Sequence, residues 1–239
     1  MCVSAFLFSL YYLLLIGNLK EVVKNEELRW YLSIVVIAVV LITINIYSIY
    51  NNVEYSFRQA YFQIASIIST TGYSSINFDL WPSLSKTIIV ILMFFGAMAG
   101  STAGGSKISR INLLSKSSVK KIKNMMSPRN VDVVTLDGKP VSKSTLDGVQ
   151  SYFIIYMIVL ATCALLISID NFDLLTNFTA SLSCISNIGP GLGAVGPYGS
   201  FSGFSSFSKF ILSIEMIAGR LELFPILVLF SPKTWKKHI

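Results

Sequence analysis

Apolar stretches on the scale of a bilayer run through this chain and leave few folds open to it. Residues 1–18, 31–50, 83–100 and 149–169 reach or approach the roughly 20 mostly apolar residues that a spanning helix needs. A fifth stretch, 204–230, has the length but carries Glu215, Arg220 and Glu222. Two further apolar stretches, 61–69 and 174–186, are too short to cross, and each runs into glycine rather than a charged flank. They read as re-entrant segments, which a membrane tolerates only where protein or water surrounds them. The fold class that follows is an all-α polytopic membrane protein. Composition agrees: 13% of residues are charged and 53% hydrophobic, against about 25% charged in a soluble domain. A disordered tail, a disulfide scaffold and an ordinary cytosolic enzyme are excluded.

The charges that exist are grouped. Lys20, Lys24 and Arg29 follow the first stretch, nine Lys/Arg lie between Lys107 and Lys143, and Lys233, Lys236 and Lys237 close the chain, so 15 of the 19 cationic residues occupy three alternate connections. The remaining connections hold Arg58, Lys86 and Lys209. By the positive-inside rule the three basic segments are cytoplasmic and the re-entrant segments dip in from outside. The net charge of +7 therefore reflects topology and lipid contact, with no nucleic-acid partner. Cys2, Cys163 and Cys184 sit in apolar stretches without C-x-x-C spacing, and His238 is the single histidine, so no metal cluster follows. Residues 1–18 lack the basic start and small-residue cleavage site of a signal peptide and read as a span.

The long cytoplasmic connection has two parts. Residues 106–126 pattern as a basic amphipathic helix, with Ile108, Ile111, Leu114, Ile122 and Met125 between lysines. Residues 131–142 alternate around Asp137-Gly138, the pattern of a small hairpin. A surface helix held by anionic lipid and a docking site for a cytosolic partner both fit.

The chain repeats itself. Residues 31–126 and 149–230 each read as span, external linker, re-entrant helix, glycine-bearing loop and span. Ser66-Ile67-Ile68-Ser69-Thr70-Thr71-Gly72 aligns with Ser183-Cys184-Ile185-Ser186-Asn187-Ile188-Gly189. Both repeats run in the same direction, which relates them by an axis along the membrane normal. Two helices flanking a re-entrant loop form the building unit of a potassium-channel-like pore. A cation leaving water needs its hydration shell replaced by oxygens, and rings of backbone carbonyls do this without a fixed charge. An extended chain with inward carbonyls favours glycine at strained positions. Thr70-Thr71-Gly72-Tyr73 and Asn187-Ile188-Gly189-Pro190 meet that need, although two ordinary helix-end loops would also use glycine. Between them, residues 96–105 hold four glycines and three alanines inside an apolar span. Such a break persists in a membrane only where the loop lines a cavity, while small-residue helix packing is the alternative. Arg220 cannot shed its proton, so inside a span it needs acceptors, which carbonyls of the broken helix would supply. Residues 191–196 match G-x-G-x-x-G by chance, since no strand precedes them and Pro197 opposes a following helix. Residues 100–107 miss the phosphate-loop pattern, because Lys107 comes late and Ile108 replaces a hydroxyl residue.

Taken in order, these motifs resemble the Trk/Ktr/HKT superfamily of potassium transporters. Ser69-Thr70-Thr71-Gly72-Tyr73-Ser74 resembles its third filter loop and Ser186-Asn187-Ile188-Gly189-Pro190-Gly191 its fourth. The run containing Gly96, Gly100, Ser101, Thr102, Gly104 and Gly105 resembles its intramembrane gating loop, and Gly219-Arg220-Leu221-Glu222-Leu223-Phe224 its last helix. The resemblance implies potassium selectivity from Gly72 and Gly189, flanked by Thr70, Thr71, Tyr73, Asn187, Ile188 and Pro190. It implies a loop that obstructs the pathway until activation, with Arg220 holding it closed. It divides the chain into the last helix of a second repeat with a cytoplasmic link (1–30), a third pore repeat (31–126), a cytoplasmic hairpin and linker (127–148), and a fourth repeat with its tail (149–239). Potassium is then the transported ion in the plasma membrane, no cofactor is bound, and no enzyme chemistry occurs. The partners implied are membrane lipid, the missing N-terminal half of the pore, a second complete pore in a homodimer, and a cytosolic nucleotide-binding regulatory subunit meeting residues 106–143 and 231–239. Two filter loops do not close a ring, so this chain alone is expected to lack a working filter. A split transporter and a non-transporting remnant or interaction module stand as the alternatives.

Overall fold

A computed structural model of the chain describes residues 5, 8–101, 103–127, 133–222 and 224–225. Nine α-helices and one two-stranded hairpin are found among them. Thr102, the start of the first expected span, the last expected span beyond residue 225 and the tail at 231–239 lie outside the described residues.

The first apolar stretch forms α1 (Phe8–Leu15), and after Gly17 at φ 81° the charged residues that follow form α2 (Leu19–Lys24). Asn25 then starts α3 (Glu26–Tyr50) by accepting the Leu28 N–H at 2.8 Å, with Glu26 and Glu27 at the positive end of the helix dipole. Its 25 residues span about 37 Å at 1.5 Å per residue, enough to cross hydrocarbon. Tyr31, Val35, Ala38, Val39, Ile42 and Ile46 are buried on one face, while Val36, Ile37, Val40, Leu41 and Ile44 stay exposed on the other. A helix apolar on its exposed face as well belongs in a membrane rather than in water. α7 (Lys143–Ile167), started by Ser142 on the Thr145 N–H, has the same character. Glu26–Tyr50 and Lys143–Asp170 are both long and apolar enough to span.

Each long helix reverses into a short one by the same device. Asn51, at φ 49°, ends α3 and Asn52 caps α4 (Val53–Ile68) through the Tyr55 N–H at 3.0 Å. Asn171, at φ 58°, ends the 3-10 turn after α7, and Asp173 caps α8 (Leu174–Ile185) through Thr176. Both short helices bury polar side chains, among them Gln59, Gln63 and Ser66 on α4, and Thr179, Ser181 and Ser183 on α8. α4 begins at Val53, eight residues before the expected apolar stretch, because the Asn52 cap and the inward-facing Gln59 stabilise turns that carry Glu54 and Arg58.

The second half of each unit returns the chain. α5 (Ser83–Phe95) is tied to α3 by the Ser85 hydroxyl donating to Asn45 Oδ1 at 2.6 Å. It stops at Gly96 (φ 63°), where the expected span of 83–100 breaks. α6 (Ile108–Met126) follows, then β1 (Thr135–Leu136) and β2 (Lys139–Pro140), which turn at Asp137 and Gly138, both at positive φ. α9 (Ser206–Arg220) ends inside the expected 204–230 stretch, of which residues 223 and 226–230 lie outside the described residues. Pro225 lacks the N–H that would bond the Leu221 carbonyl, and its ring crowds that carbonyl. The helix therefore breaks there, with Glu222 at φ 61°. The main core joins Ile42, Ile46, Ile64, Ile68, Ile89 and Met93, all fully buried, with Tyr156 and Ile185.

Candidate functional site

The two glycine-bearing loops share one backbone design. After α4, the Thr70 N–H donates to the Ile67 carbonyl at 3.0 Å and the Thr71 N–H to the Ser66 carbonyl at 2.9 Å. After α8, the Asn187 N–H donates to the Cys184 carbonyl at 3.1 Å and the Ile188 N–H to the Ser183 carbonyl at 3.0 Å. Thr70 and Asn187 both adopt positive φ, 52° and 56°, as do Gly72 (77°) and Gly189 (111°). The aligned serines brace the loops differently: the Ser66 hydroxyl donates to the Tyr73 carbonyl at 2.6 Å, and the Ser183 hydroxyl accepts the Gly189 N–H at 3.0 Å. Gln63 holds Ser74 and Ser75 is held by Gln59, so the buried amides of α4 support the outer part of the first loop.

The loops meet. A Cβ placed on Gly72 would overlap the Ile188 carbonyl and lie 3.3 Å from Pro190 Cδ, so the contact exists only because residue 72 has no side chain. Gly189 has no heavy atom near the corresponding position, and its need is conformational. Asn187 turns its amide to the Met216 carbonyl of α9 at 3.1 Å, and the Thr71 hydroxyl pairs with Ser69 at 2.7 Å. Tyr73 is 70% exposed.

The broken helix runs against both loops. The Gly104 N–H donates to Thr70 Oγ1 at 3.1 Å, and a Cβ on Gly104 would stand 2.5 Å from the Ser186 carbonyl. Gly96 and Gly105 lie back to back, a Gly105 Cβ falling 3.2 Å from Gly96 Cα, so the segment folds tightly on itself. The Ile108 N–H donates to the Ala97 carbonyl at 3.0 Å, and the Ser106 hydroxyl donates to Phe94. Gly100 is at φ 68°. Gly104, Gly105 and Ser101 share a cavity of about 240 Å³ with Lys107, Arg220 and Glu222. Arg220 thus stands beside the segment with which it was grouped by sequence.

Three positions that the sequence did not single out for the loop hold this assembly. Glu27 on α3, 6% exposed, accepts the Ala99 N–H at 2.6 Å and the Ser109 N–H at 3.2 Å on one carboxylate oxygen. Glu222 accepts Arg110 at 2.6 Å, with Lys107 at 3.8 Å, and Arg110 lies 4.0 Å from the Tyr152 ring centre. Gly219 brings α9 against the end of α8, since a Cβ there would overlap the Ile185 carbonyl. Glu27 at a helix start reads simply as a dipole partner, and nothing local announces its distant amides. Among the described residues no group of three or more His, Cys, Asp or Glu converges to hold a metal ion.

Comparison with known proteins gives this arrangement its kinship. Residues 28–237 match the family described as TrkH, cation transport protein. The chain is 30% identical over 233 residues to the Trk system potassium uptake protein TrkH of Salmonella typhimurium, covering 96% of this chain and 48% of that protein. It is 27% identical over 238 residues to the Trk system potassium uptake protein TrkI of Halomonas elongata, covering 99% and 48%. The crystal structure of the potassium transporter TrkH from Vibrio parahaemolyticus superimposes with a TM-score of 0.88 at 30% identity, covering 98% of this chain and 51% of that one. The chain spans about half the length of the curated relatives it matches. With that family's model matching residues 28–237, the chain belongs to the TrkH family of cation transport proteins.

Proposed function

We propose that this chain supplies two quarters of a potassium-selective pore and the loop that gates it. Residues 69–74 and 186–191 each contribute one wall of a carbonyl-lined filter. Gly72 and Gly189 permit the extended backbone, and Thr70, Thr71, Tyr73, Asn187, Ile188 and Pro190 shape it. Potassium crosses by permeation, without covalent chemistry or a bound cofactor. The observation that carries this reading is the contact of Gly72 with the Ile188 carbonyl, made by two loops with matching backbone bonds. Equivalent elements of a ring sit side by side in this way.

The segment holding Gly96, Gly100, Ser101, Gly104 and Gly105 is the gate in this proposal, and Arg220 beside it closes the pathway and repels cations. The membrane is the plasma membrane, with the basic connections cytoplasmic. The remaining walls come from a further pair of repeats, two complete pores associate, and a cytosolic nucleotide-binding subunit acts on the gate. The domain division at residues 30/31, 126/127 and 148/149 belongs to the same proposal. A non-transporting interaction module of a split potassium transporter is the second reading.

Potassium uptake separates the two. The chain is expressed in uptake-deficient cells, alone and with a chain bearing the first two filter loops of a Trk relative. Restored growth at low potassium in the paired case, lost on Gly72→Ser, is the expected result. Equal growth of paired Gly72→Ser cells would refute the filter assignment, and no growth in any combination would favour the interaction module.

A further inference from the structure

The start of α3 and the middle of α6 face each other across two adjoining cavities. One, of about 410 Å³, is lined by Glu26, Arg29, Trp30, Ser33 and Lys116. The other, of about 440 Å³, adds Lys120, Lys123, Val119 and Val134 to Trp30 and Lys116. Two shared residues make them one cleft. Lys116, Lys120 and Lys123 stand at i, i+4 and i+7, so they form one stripe along α6. Lys116 is occupied, bonded to the Glu26 carboxylate and donating to the Thr135 carbonyl at 2.8 Å. Among the described residues no carboxylate pairs with Lys120 or Lys123. The cleft therefore sets four cations against one acid.

Its location supplies the second half of the argument. Trp30, 41% exposed, immediately precedes the apolar run of α3, the place where indole rings sit at a membrane interface. From Ser33 the exposed face of α3 continues through Ile37, Leu41 and Ile44. Those residues climb about 16 Å along the helix, close to half of the ~30 Å hydrocarbon core. A cationic pocket at interface level thus opens onto an apolar track one leaflet deep.

We infer that this cleft seats an anionic phospholipid of the cytoplasmic leaflet, its phosphate against Lys120 and Lys123 and an acyl chain along Ile37, Leu41 and Ile44. A soluble phosphate would meet the ammonium groups but leave the apolar track unused. The inference rests on the membrane orientation proposed above and is independent of ion conduction.

Native mass spectrometry of the full chain in detergent tests it with dioleoylphosphatidylglycerol, dioleoylphosphatidylcholine and inorganic phosphate as probes. Phosphatidylglycerol should be retained preferentially. The double variant Lys120→Ala/Lys123→Ala should weaken that binding about thirtyfold, each ammonium group contributing about 1 kcal/mol near anionic lipid. Lys86→Ala, on the opposite side, should leave it unchanged. An undiminished preference in the double variant overturns the inference. So does displacement of the lipid by millimolar phosphate, which would mark a soluble-anion site. Equal retention of the two lipids would leave the stripe to a protein partner, also overturning it. Labelling of Lys120→Cys in whole cells by an impermeant maleimide checks the orientation separately. External labelling would sink the orientation, whereas protection from the reagent in intact cells without lipid preference sinks the lipid seat alone.

Discussion

Removing the Glu27 carboxylate should loosen the broken helix from a distance. One oxygen of that side chain accepts N–H groups from Ala99 and Ser109, which lie on either side of the segment's return into α6. Hydrogen bonds to a charged acceptor contribute about 1.5–3 kcal/mol each. Glu27→Ala strands both amides in a site that is 94% shielded at residue 27 (6% exposed). A cost of about 3 kcal/mol, allowing for partial rehydration, is expected and corresponds to roughly a hundredfold in the local opening equilibrium. Glu27→Gln keeps an acceptor oxygen and loses the charge, so about half of that cost remains. Amide hydrogen exchange on the purified chain reads both. Ala99 and Ser109 should lose protection roughly a hundredfold in the alanine variant and about tenfold in the glutamine variant. The N–H of Ile46, toward the far end of α3, should be unaffected. Unchanged exchange at Ala99 and Ser109 would refute the role of Glu27. A glutamine variant as costly as alanine would show that charge, rather than the shared acceptor, holds the loop.

Other perturbations separate shape from charge. Gly72→Ala should abolish uptake by the paired chains, because its Cβ overlaps the Ile188 carbonyl, whereas Gly189→Ala meets open space and should cost only the ~1–3 kcal/mol of backbone strain; thermal unfolding and uptake measured on both variants compare the two. Arg220→Ala should raise basal potassium flux in the reconstituted pore, and unchanged flux would remove the assigned gate role. Glu222→Gln should weaken the Arg110 contact across a half-exposed pair by at most about 1 kcal/mol, seen as a small fall in melting temperature; a large fall would mean that the Tyr152 stack depends on it. Gly219→Ala should destabilise the chain by several times that amount, since its Cβ meets the Ile185 carbonyl of a packed helix end.

The parts of this architecture that were legible in the sequence are those governed by local chemistry. The apolar runs mark α3 and α7, and the recurring serine and glycine positions mark the two loops. Asp137-Gly138 marks the hairpin turn through its demand for positive φ. Helix limits were less legible where polar residues face inward. Glu54, Arg58 and Gln59 interrupt hydrophobicity without interrupting α4, because Asn52 caps it and Gln59 holds Ser75. The interruption of the last stretch at Glu222, which sits at φ 61°, was not legible from its apolar length. Contacts distant in sequence, such as Glu27 with Ala99 or Gly104 with Ser186, had no local signature at all. They depend on which helices the fold sets side by side.

Gly104 touches both loops at once, through Thr70 on one and the Ser186 carbonyl on the other. In the proposed pore this makes gate and filter a single thermodynamic system. If withdrawal of Gly104 changes the affinity of the filter for an ion by some factor, ion occupancy must change the probability of withdrawal by the same factor. Opening would then depend on external potassium, and a filter substitution would alter gating without touching the gate.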